Sequence, residues 1–213
     1  MEKISRHERE KRARRQAILS VSEKLFAQKS FFRTTMAEIG KASEFGMATL
    51  YKFFPSKEEI YFTLINEKAE QLLSLIEKGI SRLDSSLDKV KAFVSMVSDF
   101  FEENRGFLTI FISGRSDFQW MVKEDLGLRI NQLYDRYLMM LQHIIEEGIR
   151  RKEIKPIDPE VIAHGLAGMI NSIIFQWILN PGKRSLKSKI QNLLTMIFEG
   201  SVISHERSLG GQK

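Results

Sequence analysis

Apolar residues return every three or four positions along most of the chain, with polar residues filling the gaps. Ile18, Val21, Leu25 and Phe26, with Ser22 among them, form one such stripe and predict an amphipathic helix over about 9–29. Thr35-Met-Ala-Glu38 reads as a capping box that opens a short second helix, since the Thr hydroxyl can accept from an early amide while the Glu carboxylate reaches back. Ser43 to Gly46 breaks that helix. Residues 47–53 predict a third short helix, stopped by Pro55 because the residue before a proline avoids helical geometry. Ser56-Lys-Glu-Glu59 is a second capping box and opens a long fourth helix reaching about Gly79.

Further helices are expected near 87–104, 106–114, 118–152 with a break near Gly127, 158–180 and 185–203. Asp158-Pro159 is a start signal, because Asp caps well and proline suits the first helical position. The polar tail from Ser204 is expected to fray. No sustained alternation and no Asn-Gly or Asp-Gly hairpin signal occurs, so strands are not expected. The predicted fold class is all-α: a three-helix helix-turn-helix domain over residues 1–55, followed by a larger helical domain over 56–213.

Composition narrows the function. A chain of 213 residues with 43% hydrophobic and 28% charged residues is not wholly disordered. The absence of cysteine removes disulfide frameworks, thiolate zinc sites and thiol catalysis together. The most apolar stretch, 161–179, is interrupted by His164, Asn171 and Gln176, so a membrane span is not expected. The first sixteen residues lack an apolar run of the signal-peptide type, which predicts a cytoplasmic protein.

Charge is unevenly spread. Residues 1–57 hold 13 Lys+Arg against six acids, whereas the other 156 residues hold 20 bases and 21 acids. A basic head on a neutral body is either the electrostatic footprint of a polyanion binder or a solvated basic tail. The two short helices between Thr35 and Phe53 lie inside that head, in the layout of a helix-turn-helix whose second helix enters the major groove. Ile39, Phe45, Leu50 and Phe54 stand where such a unit must lock together, and Met47, Ala48, Thr49 and Lys52 remain outside. The same spacing would also suit an interior helical hairpin with no ligand.

Ile18-Leu19 and Leu25-Phe26, the Thr34-Thr35 pair, Ile39, Ala42, Thr49-Leu50-Tyr51 with Phe54, and Ser56-Lys57-Glu58 agree together in order, spacing and type. The stretch they define resembles the DNA-binding domain of TetR-family transcriptional regulators, over about 50 residues. The resemblance implies that Thr35 presents a helix N-terminus to phosphate, that Tyr51 and Lys57 grip the sugar-phosphate backbone, and that Met47, Ala48 and Thr49 face base edges. Lys52 stands beside them, and Gly46 replaces the usual Ser or Thr cap of the reading helix. Glu44 stands where a small residue is usual in the turn; a left-handed conformation there costs a non-glycine residue roughly 1–2 kcal/mol. Met47 occupies a commonly polar position, which predicts readout of thymine methyls by apolar contact. The arm from Arg6 to Arg15 either adds phosphate or minor-groove contacts or is a solvated first turn.

Residues 58–213 contain no catalytic constellation, so no enzyme activity and no cofactor are expected. His7, His143, His164 and His205 lack metal-ligand spacing, and His143 with Glu146 and Glu147 reads as a solvated patch. The 158–180 helix is apolar nearly all round, and the last helix carries one apolar stripe. The resemblance implies that these two helices pair with their copies in a homodimer, through Gly165, Gly168, Ile173, Trp177, Ile190, Leu194 and Ile197; the alternative is that they finish a monomeric core. A twofold dimer demands a near-palindromic operator in double-stranded DNA. The resemblance also implies an effector pocket among the middle helices, with Phe93, Phe107, Phe111, Trp120, Tyr134, Tyr137 and Asn171 as candidates and a hydrophobic small molecule as effector. A protein partner in place of that molecule, or a basic head resting on anionic lipid, are the competing readings. The second fits poorly, because the 1–16 arm offers only Ile4 and Ala13 as apolar contacts.

Overall fold

A computed structural model describes residues 5–110, 124–180, 182 and 185–198. All regular structure among these residues is helical. The elements are α1 (Arg6–Arg33), α2 (Met36–Ser43), α3 (Met47–Phe53), α4 (Lys57–Ile80), α5 (Ser86–Glu103), α6 (helical over 105–110), α7 (Glu124–Arg150), α8 (Pro159–Leu179) and α9 (Leu186–Phe198). The expected extensions over 111–123 and 199–203 lie outside the described residues.

Local chemistry accounts for most of the boundaries. Ser5 caps α1 by accepting from the Glu8 amide at 3.2 Å, which starts the helix three residues earlier than its apolar stripe suggests. Ser30 takes φ 69°, ψ 162° and kinks α1 near its end. Its carbonyl accepts from the Thr34 hydroxyl at 2.8 Å, and the kink carries Phe31 into the core. At α2 both halves of the capping box are formed, and the helix closes on Glu44 in the left-handed region at φ 60°, ψ 22°. The Phe45 amide then returns to the Gly40 carbonyl at 3.1 Å. Gly40 makes this return possible, since a Cβ there would stand 3.2 Å from the Phe45 carbonyl oxygen.

Two expectations are corrected. Ser56 accepts from the Glu59 amide, but the Glu59 carboxylate turns away from the cap to Arg129 on α7. Residues around Gly127 do not break the helix: α7 runs through from Glu124 to Arg150. A helical glycine costs about 1 kcal/mol relative to alanine, which the burial of neighbouring Leu126 outweighs.

The core is continuous along the chain, from Ile18, Leu19 and Ile39 through Tyr61 to Phe93, Leu141 and Ile170. Ile39, Leu50 and Phe54 are buried and lock the α1–α3 unit, with Phe45 half-buried beside them. Tyr61 of α4 meets Phe26 and Phe31 of α1 edge-on, with ring centroids 5.8 and 5.0 Å apart. From there α4 packs on α5 and α7, α8 on α7 and α9, and α9 back on α5. By length and hydropathy α8 qualifies as a membrane span, against the expectation drawn from its polar interruptions. It turns Ala163, Leu166, Ala167, Ile170, Ile174 and Trp177 into the bundle and leaves its other face outward.

Candidate nucleic-acid interface and effector cleft

On α3, Leu50 is sealed into the core while Met47, Ala48, Tyr51 and Lys52 lie outside. At 100° per residue these four occupy one continuous arc, with Met47 39% and Tyr51 50% exposed. Thr49 is half-buried at its edge. Gly46 caps the helix with no side-chain bond, so the first amides of α3 have no competing acceptor from the cap. The arc is neutral apart from Lys52 and offers apolar and hydroxyl contacts more than bidentate hydrogen bonds.

Thr35 is exposed at the entry to α2, but its polar groups are already engaged. Its amide and hydroxyl donate to the Glu38 carboxylate at 2.9 and 3.0 Å, and its hydroxyl accepts from the Glu38 amide at 3.3 Å. Lys29 completes the set, holding Glu38 at 2.5 Å. Hydrogen bonds from Lys29 and Thr35 bring the Glu38 carboxyl down to about 2. A phosphate approaching this helix end would therefore meet the amides of Met36 and Ala37, which the helix itself does not use, rather than a free Thr35 hydroxyl.

Lys57 is turned inward. Its ammonium donates to the carbonyls of Phe31 and Thr34, both at 2.9 Å, and lies 4.3 Å from the centre of the Phe31 ring. Burial lowers its pKa from the ordinary lysine value. One of three donors remains for a phosphate. Nothing in the local sequence announces this role, because the acceptors lie 23 and 26 residues earlier. The basic arm of α1 carries intrahelical Arg6–Glu10 and Arg12–Glu8 pairs, and Arg15 leaves it to bind Glu67 of α4 at 2.6 Å while covering Phe54.

Between α4, α5, α7 and α8 lies a small, open-mouthed cleft of about 70 Å³, lined mainly by apolar side chains as small-molecule sites are. Phe107, Tyr134, Tyr137 and Asn171 line it, as the sequence suggests. Phe93 stands one layer behind, fully buried and 5.0 Å from the Tyr137 ring. Phe111 and Trp120 lie outside the described residues. Sequence reasoning missed the contribution of α4, namely Ile65, Lys68, Ala69 and Leu72. Their spacing is an ordinary core stripe, and only the arrangement of the neighbouring helices leaves space over it. The polar groups are few: Asn171 donates to the Tyr134 hydroxyl at 3.1 Å, and Lys68 donates to Asn104 at 2.6 Å.

Two ion pairs join α4 to α7: Arg129 holds Glu59, and Arg136 holds Glu70. Each is a two-nitrogen grip across the same pair of helices.

The outward face of α8 carries Val161, Gly165, Gly168, Met169, Phe175 and Leu179, continued by Met196 of α9. A Cβ added to Gly165 or Gly168 would meet nothing within 4 Å. Trp177 and Ile190, expected to face a second copy, are instead 5% and 1% exposed and belong to the chain's own core. Arg105 covers the Trp177 ring at 4.5 Å. Ile173, Leu194 and Ile197 are half-buried between the two environments. For Trp177 the cause is simple: on a helix apolar all round, sequence does not say which side meets α7. Among the described residues no three potential metal-ligating side chains gather; His143 reaches only Glu146, at 3.9 Å.

Residues 18–64 match the family described as bacterial regulatory proteins, tetR family, and residues 83–201 match the tetracyclin repressor-like C-terminal domain. A fatty acid metabolism regulator protein of Bacillus subtilis is 23% identical over 195 residues, spanning 90% of this chain and 97% of that protein. The nucleoid occlusion factor SlmA of Vibrio cholerae is 29% identical over 172 residues, spanning 80% of this chain and 86% of that one. The transcriptional regulator FadR of Bacillus subtilis, solved in complex with stearoyl-CoA, shares the fold with a TM-score of 0.78 at 21% identity, over 88% of this chain and 99% of its own.

Proposed function

The chain belongs to the TetR family of bacterial regulatory proteins, and from that premise we propose that it is a homodimeric transcriptional repressor released from a near-palindromic operator by a hydrophobic, acyl-chain-bearing effector. In this reading residues 1–55 bind DNA, and residues 56–213 bind the effector and a second copy. Gly46, Met47, Ala48, Thr49, Tyr51 and Lys52 face the duplex, while the helix end at Thr35 offers backbone amides and Lys57 its one remaining donor to phosphate. The protein acts in the cytoplasm, on the nucleoid.

One observation carries the reading. Helix α4 begins at Lys57, which is bonded to the end of α1, and it also forms one wall of the cleft through Ile65, Lys68, Ala69 and Leu72. At 1.5 Å per residue it is a lever of roughly 35 Å. An effector seated against it favours whichever placement of the reading helices suits the filled cleft, and DNA affinity falls by the effector's preference for that state, typically about 1–3 kcal/mol. The outward apolar face of α8 supplies the dimer contact, with Gly165 and Gly168 allowing close approach. A twofold axis there sets two reading helices about 34–36 Å apart, one turn of B-DNA. An acyl effector is supported by the apolar cleft and by the stearoyl-CoA bound in the similar regulator from Bacillus subtilis.

The test is fluorescence anisotropy on the purified chain with inverted-repeat duplexes, followed by addition of acyl-CoA. A dimer that prefers an inverted repeat over random sequence and is released by the acyl compound supports the reading. A monomer without salt-sensitive duplex preference defeats it. In a second reading a protein partner replaces the small molecule; specific DNA binding indifferent to every acyl compound would support that one.

A further inference from the structure

We infer that Lys68 is the anion receptor of the cleft and that the effector is an anionic amphiphile, a single acyl chain whose head carries a carboxylate or phosphates. This rests on the reading of the cleft as the effector site. Lys68 lies on the stripe Ile65, Lys68, Ala69, Leu72, which is otherwise apolar, and it is the one charged side chain lining the cleft among the described residues. Three other half-buried cations that join helices meet a carboxylate: Arg15 meets Glu67, Lys89 meets Glu147 and Arg129 meets Glu59, whereas Lys57 is satisfied by two backbone carbonyls.

Among the described residues Lys68 meets only the neutral Asn104 side chain, at 2.6 Å. Asn104 in turn is oriented by donating its amide to the Phe100 carbonyl at 2.8 Å, which turns its oxygen toward the ammonium. An ammonium has three donors and one is used, so two remain at the cleft with no counterion among the described residues. A half-buried charge in this state is costly, and it is relieved by a ligand that brings the opposite charge. The walls beyond it are apolar, as an acyl chain requires: Phe101 and Phe107 stack with parallel rings, centroids 6.3 Å apart, and Leu72 and Leu133 continue the surface. The opposite polar spot is the neutral Asn171–Tyr134 pair, so the charge sits at one place on the wall and fixes the orientation of the chain.

The experiment compares dodecanoate, dodecanoyl-CoA and dodecanol by thermal shift and by release of a labelled duplex, on the full chain and on Lys68→Met, Lys68→Arg and Asn104→Asp. At least one of the two anions is expected to bind about tenfold more tightly than dodecanol, the scale of one charge-assisted hydrogen bond; which of them does so identifies the head group. Lys68→Met is expected to bring that anion to the level of the alcohol, and Lys68→Arg to retain the preference. Asn104→Asp places a carboxylate against Lys68 and is expected to erase the same preference without removing the lysine, which covers the case of a poorly folded Met variant. Dodecanol binding as tightly as the anions, or a preference unchanged in both Lys68→Met and Asn104→Asp, would overturn the inference while leaving an effector cleft in place. If none of the three compounds binds, the effector reading falls with it.

Discussion

The Arg129 guanidinium grips the Glu59 carboxylate with both terminal nitrogens, at 2.5 and 3.3 Å, and so ties the middle of the chain to the first turn of α4. The same guanidinium lies 3.6 Å from the centre of the Phe62 ring, so its plane is fixed from two sides. Arg129→Met keeps an apolar stem over Phe62 and removes the grip. The pair is partly exposed, and its loss is expected to cost about 0.5–1 kcal/mol in urea unfolding.

Glu38 sets an acid limit. Lys29 and Thr35 bring its carboxyl down to about 2 in the folded chain, against about 4.3 when unfolded. A depressed carboxyl contributes stability that is complete above the unfolded value and is lost as pH falls through the folded one. Unfolding of the wild-type chain should therefore become easier between about pH 5 and pH 2. Glu38→Gln should be less stable at neutral pH and show a shallower fall over that window, as read from denaturant midpoints.

The left-handed backbone at Glu44 is occupied by a residue with a Cβ. Glu44→Gly removes that penalty and should raise stability by about 1 kcal/mol, which thermal unfolding would register as several degrees. A fall in stability would mean that the Glu44 side chain has contacts that outweigh the backbone cost.

Met47 heads the exposed arc of α3 and has no polar group to offer a base edge. Met47→Ala should weaken binding by about 1 kcal/mol at operators that place a thymine methyl under it, with little change where that base pair is G·C. Anisotropy on a panel of single-base-pair operator variants would show it. Unchanged preference at every position would remove Met47 from the reading face.

What was legible in the sequence was local. The Thr35–Glu38 capping box, the strained Glu44, the bare cap at Gly46 and the stop at Pro55 each involve residues within four positions of one another, where spacing and chemistry suffice. The helix-turn-helix followed from them together with the buried Ile39 and Leu50. Features spanning long separations were not legible. Lys57 reaches carbonyls 23 and 26 residues back, and Arg129 and Arg136 find partners 70 and 66 residues away. Trp177 shows the same limit, since a helix apolar on every side carries no mark of which side faces inward. Lys68 lies in a stripe with the spacing of an ordinary core, and its partner Asn104 stands 36 residues away.

The clasp of Lys57 on the Phe31 and Thr34 carbonyls leaves no slack at the joint between α4 and the reading unit. A small tilt given to α4 near Ala69 swings α1, α2 and α3 about one pivot instead of dissipating in the Phe54–Ser56 connection. The head of the molecule then behaves as a pointer on a stiff shaft, and a displacement too slight to alter the fold is magnified at the distance of the groove.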